Sequence, residues 1–171
     1  MAIEVYQEVL QIEESADIHY NLANSYYMKN ELEKAIEHYT ASLTLNPARG
    51  ECWYNLGNAY CMKGQYEEAV NNFKKSIEID DQNVAAFYNL GNAYLLIKDN
   101  KQAIDAFEAA LKLDSNNMEW KLMLAGVYLE INEHENVFRL VREVLDKDPN
   151  SLDAMMLLSN IEKIYPSLLN F

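Results

Sequence analysis

The sequence predicts an all-α fold assembled from repeated helical hairpins, and three observations predict it. Only five glycines and three prolines occur among 171 residues, while Ala, Leu, Glu, Lys and Tyr are plentiful, so helix formers outweigh turn residues. Leu22, Leu56, Leu90 and Leu124 recur every 34 residues, with Tyr26, Tyr60, Tyr94 and Tyr128 in phase. Within each period the apolar positions fall at i, i+1 and i+4 and then at i, i+4 and i+7, which marks one face on each of two successive helices.

The elements follow in order from that register. Residues 1–15 read as the second helix of a partial preceding repeat, because Ala2, Tyr6 and Val9 occupy its small, aromatic and small positions. Copy one, 16–49, pairs Leu22, Ala23 and Tyr26 with Ala35, Tyr39 and Ser42. Copy two, 50–83, pairs Leu56, Gly57 and Tyr60 with Ala69, Phe73 and Ser76, and copy three, 84–117, pairs Leu90, Gly91 and Tyr94 with Ala103, Phe107 and Ala110. Small residues on both helices let the axes approach closely, and the aromatic ring fills the space beside that contact. Copy four, 118–151, diverges: Leu124, Ala125 and Tyr128 keep the pattern, but Val137, Val141 and Val144 replace the second trio.

Between the two helices stand Lys29-Asn30, Lys63-Gly64, Lys98-Asp99 and Asn132-Glu133, where Asn or Gly tolerates the left-handed conformation that ends a helix. Asn46-Pro47 and Asp148-Pro149 then stop the second helix, since proline disfavours helical geometry in the residue before it. Residues 152–171 read as a terminal helix to about Ile164, with Met155 and Leu158 in first-helix register, followed by Pro166 and the apolar tail Leu168-Leu169-Phe171. That makes about ten helices. A solenoid needs polar outer faces at its ends, and Glu162-Lys163 supply only part of one, so the chain is expected to be either a fragment of a longer array or a short array whose last helix docks on something.

The stretch Trp53-Tyr54-Asn55-Leu56-Gly57-Asn58-Ala59-Tyr60, with Ala69 and Phe73 behind it, closely resembles the tetratricopeptide repeat signature. The resemblance covers residues 16–151; copy one has His19 and copy four Lys121 where the signature has Trp. It implies a right-handed superhelical solenoid whose first helices line a concave surface. Away from their packed face, those helices carry Tyr20, Asn21, Asn24, Tyr27 and Met28 in copy one, Tyr54, Asn55, Asn58, Cys61 and Met62 in copy two, and Tyr88, Asn89, Asn92, Leu95 and Leu96 in copy three. Copy four breaks this stripe with Glu119, Leu122, Met123, Gly126, Leu129 and Glu130.

The stripe is the expected partner-binding surface. An asparagine amide donates to a carbonyl and accepts from an N–H, so a ladder of them can hold an extended peptide backbone whatever its side chains. Inter-repeat hydrogen bonding would account for the same ladder. Tyr20, Tyr54 and Tyr88 add large, stiff contact area. Family members that bind acidic chaperone tails use a Lys/Arg clamp; here the stripe has none, and Tyr20, Ala85 and Asn89 stand where the clamp would place cations, although Asn24 and Asn55 match its asparagines. Asp17, Glu51, Glu119 and Glu130 on the margins suit a partner with apolar anchors and some basic character.

A formal charge of −13 argues against nucleic acid and anionic membrane as partners. No metal-type Cys or His spacing and no phosphate loop stands out, so neither cofactor nor catalysis is expected. His19, His38 and His134 are scattered, and Cys52 and Cys61, nine residues apart, fall on opposite helix faces as free thiols. A cytoplasmic protein-interaction scaffold is the expected function. The alternatives are a substrate-docking arm of a longer, glycosyltransferase-like enzyme, or a self-assembling subunit of a transport or ciliary complex whose apolar last helix, from Leu152 to Leu158, makes the subunit contact.

Overall fold

The computed structural model describes residues 2–164, apart from the side chains of Ala2 and 162–164. The expected apolar tail, Pro166 to Phe171, and the side chains of Glu162 and Lys163 lie outside the described residues. Among the described residues there are ten α-helices and no strand: α1 (Ala2–Leu10), α2 (Ala16–Met28), α3 (Leu32–Leu45), α4 (Gly50–Met62), α5 (Tyr66–Ile79), α6 (Val84–Leu96), α7 (Asn100–Leu113), α8 (Met118–Glu130), α9 (His134–Leu145) and α10 (Leu152–Ile164). First helices begin at 16, 50, 84 and 118 and second helices at 32, 66, 100 and 134, both sets at intervals of 34. No described helix is long and apolar enough to cross a membrane.

Local chemistry sets these boundaries. Ser15 Oγ accepts from the Ile18 N–H at 3.3 Å, Asn83 Oδ1 from Ala86 at 3.0 Å, and Asn117 Oδ1 from Trp120 at 3.1 Å, each satisfying a donor that the first helical turn leaves unpaired. At the other end, Asn30, Gly64, Lys98 and Asn132 take positive φ, 60–76°. The next residue's N–H then reaches back to the carbonyl of the recurring tyrosine: Glu31 to Tyr26, Gln65 to Tyr60, Asp99 to Tyr94 and Glu133 to Tyr128, all at 2.9–3.0 Å. The residue between closes the shorter loop, as in Asn30 N–H to Tyr27 O at 2.9 Å, which completes a Schellman motif after each first helix. In the third hairpin the left-handed residue is Lys98, a side chain without asparagine's local compensation.

The chain divides into two compact units, Met1–Asp99 and Asn100–Phe171. In the first, α2 packs on α3, α4 on α5, and α3 and α5 carry the next first helix in turn. Leu22, Ala23, Ala35 and Tyr39 are buried in one hairpin, and Leu56, Gly57, Ala69 and Phe73 in the next. A Cβ on Gly57 would stand 2.7 Å from the Phe73 ring, so the absent side chain is what lets α4 and α5 meet around a fully buried aromatic, whose burial contributes about 2 kcal/mol. Ser42 donates to the Ala16 carbonyl at 2.7 Å, tying the end of α3 to the start of α2.

His19, which replaces the signature aromatic, is buried and meets His38 of α3 with 2.9 Å between their Nδ1 atoms. The His38 ring lies parallel to that of Tyr26, centroids 5.5 Å apart. In copy two the aromatic at the matching position, Trp53, donates from its indole to the Pro47 carbonyl at 2.8 Å and so fastens the α3–α4 connection.

In the second unit, Val137, Val141 and Val144 are buried despite their departure from the repeat pattern, alongside Leu124, Ala125 and Tyr128 of α8. Tyr128 donates to Glu108 Oε1 at 2.8 Å; burial first, and then that carboxylate, push the phenol up to about 12. Helix α10 buries Ala154 and Ile161 and leaves Leu152, Met155 and Met156 exposed.

Candidate functional site

The stripe on α2, α4 and α6 forms because each helix turns its Leu, small and Tyr face inward, with Tyr60 of α4 half-buried, and the residues beside that face reach the surface. Asn21, Met28, Met62 and Leu96 are exposed, and Tyr20, Asn24, Tyr27, Tyr54, Asn55, Asn58, Tyr88, Asn89 and Asn92 are half-buried. Met28, Met62 and Leu96 are each the last residue of their helix, 87%, 53% and 55% exposed, which places one uncovered apolar side chain at the end of every first helix in this unit.

The asparagines are joined from helix to helix. Asn55 Nδ2 donates to Asn24 Oδ1 at 3.3 Å and to the Tyr20 hydroxyl at 3.0 Å, both on the preceding first helix. One repeat later Asn89 Nδ2 donates to Asn58 Oδ1 at 2.8 Å and to the Tyr54 hydroxyl at 3.1 Å. Asn24 Oδ1 also accepts from the Tyr39 hydroxyl. Asn21, in the same column on α2, is exposed. The amide hydrogens of the inner rungs are thus committed between repeats, and their Oδ1 atoms are the groups left to accept from a partner.

The tyrosines divide their surface in the same way. Tyr20 stands 6.1 Å from the Tyr39 ring and Tyr54 5.9 Å from Phe73, so part of each ring covers the hairpin core. Burial, followed by the Glu51 carboxylate, pushes the Tyr20 phenol up to about 12. Burial also raises Tyr27. Cys52 is buried and Cys61 half-buried; burial lifts both thiols to about 11, which suppresses the thiolate and makes them inert packing groups. Among the described residues no cluster of three potential metal ligands exists.

One cation at this surface escapes a helix-by-helix projection. Arg49, just before α4, stacks its guanidinium over the Tyr20 ring at 4.6 Å and pairs with Asp17. It belongs to the connection between repeats, but its reach falls on the first turns of α2, the preceding first helix. The signal that finds it is the separation of 32 residues between Asp17 and Arg49, close to one repeat length.

In copy four the stripe changes character. Leu122 and Met123 of α8 and Met156 and Leu157 of α10 line a cavity of about 610 Å³, with the carboxylates of Glu119 and Asp153 at its edge. The column that holds Asn55 and Asn89 holds Met123 here, so the ladder has no further amide donor.

Comparison with known proteins accords with this geometry. Models described as tetratricopeptide repeat match residues 16–48 and 84–117 and residues 38–71, and a model described as TPR repeat matches 57–98; together they run without a break from 16 to 117. No curated protein sequence matches the chain. Among solved structures, the chain is similar to MamA (TM-score 0.79, 24% identity, 86% of this chain and 81% of that one). It is similar to YrrB, described as a TPR protein with an unusual peptide-binding site (TM-score 0.76, 23% identity, 96% and 94%). It also resembles the first TPR of Spaghetti (RPAP3), solved bound to the HSP90 peptide SRMEEVD (TM-score 0.65, 19% identity, 69% and 94%). With more than half of its length under these models and its hairpins built as described, the chain belongs to the tetratricopeptide repeat family.

Proposed function

We propose that the protein is an interaction scaffold that holds an extended peptide segment of a partner along the stripe of α2, α4 and α6. The observation that carries this reading is the periodic exposure of Met28, Met62 and Leu96 beside half-buried tyrosines: one uncovered apolar anchor per repeat, on the helix face that does not serve the core. Such anchors suit alternate side chains of a peptide, while the Oδ1 atoms of Asn55 and Asn89 accept from its backbone N–H groups. Glu51 favours a partner with apolar anchors and some basic residues, and the Arg49–Asp17 pair leaves the stripe without an unpaired basic clamp. The solved YrrB and Spaghetti structures concern peptide binding by relatives of the same fold, which supports the general mode. On this reading the chain works without cofactor or catalysis, in the cytoplasm, as four repeats spanning 16–151.

A second reading, assembly through α10, is favoured by the exposed Leu152, Met155 and Met156. The two separate in one experiment. A random peptide library selected on the purified chain should yield apolar–basic peptides that cross-link to Tyr54, Met62 or Leu96, and Tyr54→Ala with Met62→Asp should lower capture at least tenfold. Selection of no peptide, together with a light-scattering mass above that of one 19.8 kDa chain, would replace the scaffold reading with self-assembly.

A further inference from the structure

Two cavities in the molecule occupy matching places in the repeat. One, about 280 Å³, is lined by Thr40, Leu43, Thr44, Pro47, Trp53 and Leu56. The other, about 270 Å³, is lined at positions 68 residues later, two repeat lengths, by Glu108, Leu111, Lys112, Ser115, Lys121 and Leu124, and is completed by Arg139, Leu140 and Glu143 of α9. The first is almost wholly apolar and its tryptophan is committed to the Pro47 carbonyl. In the second, lysine stands where that tryptophan was, and the wall has become charged while Leu111, Leu124 and Leu140 keep the floor apolar.

The charges are unequal. Lys121, its side chain only 16% exposed, pairs with Glu143 at 2.6 Å, and Arg139 reaches the other oxygen of the same carboxylate at 3.1 Å. Glu108 is already engaged as acceptor for Tyr128. Lys112 has no ion-pair partner among the described residues. Three cations therefore face two carboxylates, one shared by Lys121 and Arg139 and the other accepting from Tyr128 at one oxygen, and the N–H groups left over on Lys112, Lys121 and Arg139 point to a further acceptor supplied from outside. A local positive excess in a chain of formal charge −13 is a selective feature, because most of the surface repels the ligand that this pocket attracts.

We propose that this α7–α8–α9 pocket binds an acidic–apolar peptide element of a partner: a leucine-sized side chain seated on Leu111, Leu124 and Leu140 beside a carboxylate held by Lys112, Lys121 and Arg139. The site shares no residue with the stripe and calls for the opposite charge in its ligand, so the two surfaces select different segments.

N-acetyl-L-leucine, which carries only those two groups, is the probe. Titrated into the full ¹⁵N-labelled chain, it should give saturable shifts at the amides around Lys112, Lys121 and Arg139. N-acetyl-L-leucinamide, with no charge, should bind at least tenfold more weakly. Lys121→Trp, which restores the aromatic of copy two, should abolish the shifts; should that variant not fold, Lys112→Glu, at an exposed position, should weaken them at least fivefold. Equal binding of the amide, unsaturated shifts, or shifts at Tyr54 and Asn89 instead would overturn the proposal. Concentration-dependent shifts at the pocket without probe would also overturn it, by identifying the occupant as a second copy of the chain. None of these failures touches the stripe, whose peptides are selected independently.

Discussion

The side-chain amide of Asn89 donates to Asn58 Oδ1, 2.8 Å away and one repeat earlier, and the amide of Asn55 repeats the arrangement toward Asn24. The ladder that sequence alone offers as a grip for a peptide backbone is thus a fastening between consecutive first helices.

That fastening gives the first prediction. Asn89→Ala leaves the Tyr54 hydroxyl and Asn58 Oδ1 without a donor at a half-buried site, which costs about 1 kcal/mol. From sequence, removing these amides is expected to weaken capture while leaving the thermal midpoint nearly unchanged; with the amide hydrogens committed between helices, a lowered urea midpoint is expected as well. Asn21→Ala, at the exposed end of the same column, should be neutral, and equal midpoints for the two variants would show that the rungs carry no stability.

What the sequence makes legible, and what it does not, divides along a physical line. Helix positions follow from apolar spacing within about fifteen residues, so the helices and their 34-residue phase can be read before any coordinates. The contacts that define the site join residues 31 to 35 apart, such as Asn24 with Asn55 and Tyr20 with Asn55, and depend on how one hairpin sits against the next. A helical projection therefore places Asn55 beside the packed face of α4 but does not show whom it bonds, and it overlooks Arg49 because Arg49 is not on a helix. His19 is legible as a packing residue from its column; its partner His38 is not.

Lys98 gives the second prediction. It holds φ of 63° at the place where the other hairpins use Asn30, Gly64 and Asn132. Its side chain is exposed, and glycine meets no left-handed penalty, so Lys98→Gly should stabilise the chain by about 1 kcal/mol. Denaturant unfolding would measure it; a destabilised variant would mean that the lysine side chain contributes more than its backbone conformation costs.

Acid sensitivity gives the third. Burial, and then His19, lower the pKa of His38 below its ordinary 6.5. The unfolded chain therefore takes up the proton first, and the associated stability is present above pH 6.5 and lost as pH falls below it. Lys121 holds Glu143 below the usual carboxylate value of 4.5, and Lys63 does the same for Glu33, so their contributions fade only at lower pH. Between pH 6.5 and 4.5 the midpoint should decline, and His38→Asn, which keeps a polar atom near Nδ1, should flatten that decline. An identical slope in the variant would exclude the histidine pair as its source.

The two tryptophans fall on either side of the division at Asp99: Trp53 in the first unit, its indole tied to Pro47, and Trp120 in the second. Nature has thus supplied each half with its own fluorophore. A Trp120→Phe chain would report melting of the first half through a single emitter, a Trp53→Phe chain would report the second, and comparison of the two curves would reveal whether the halves melt together or in sequence.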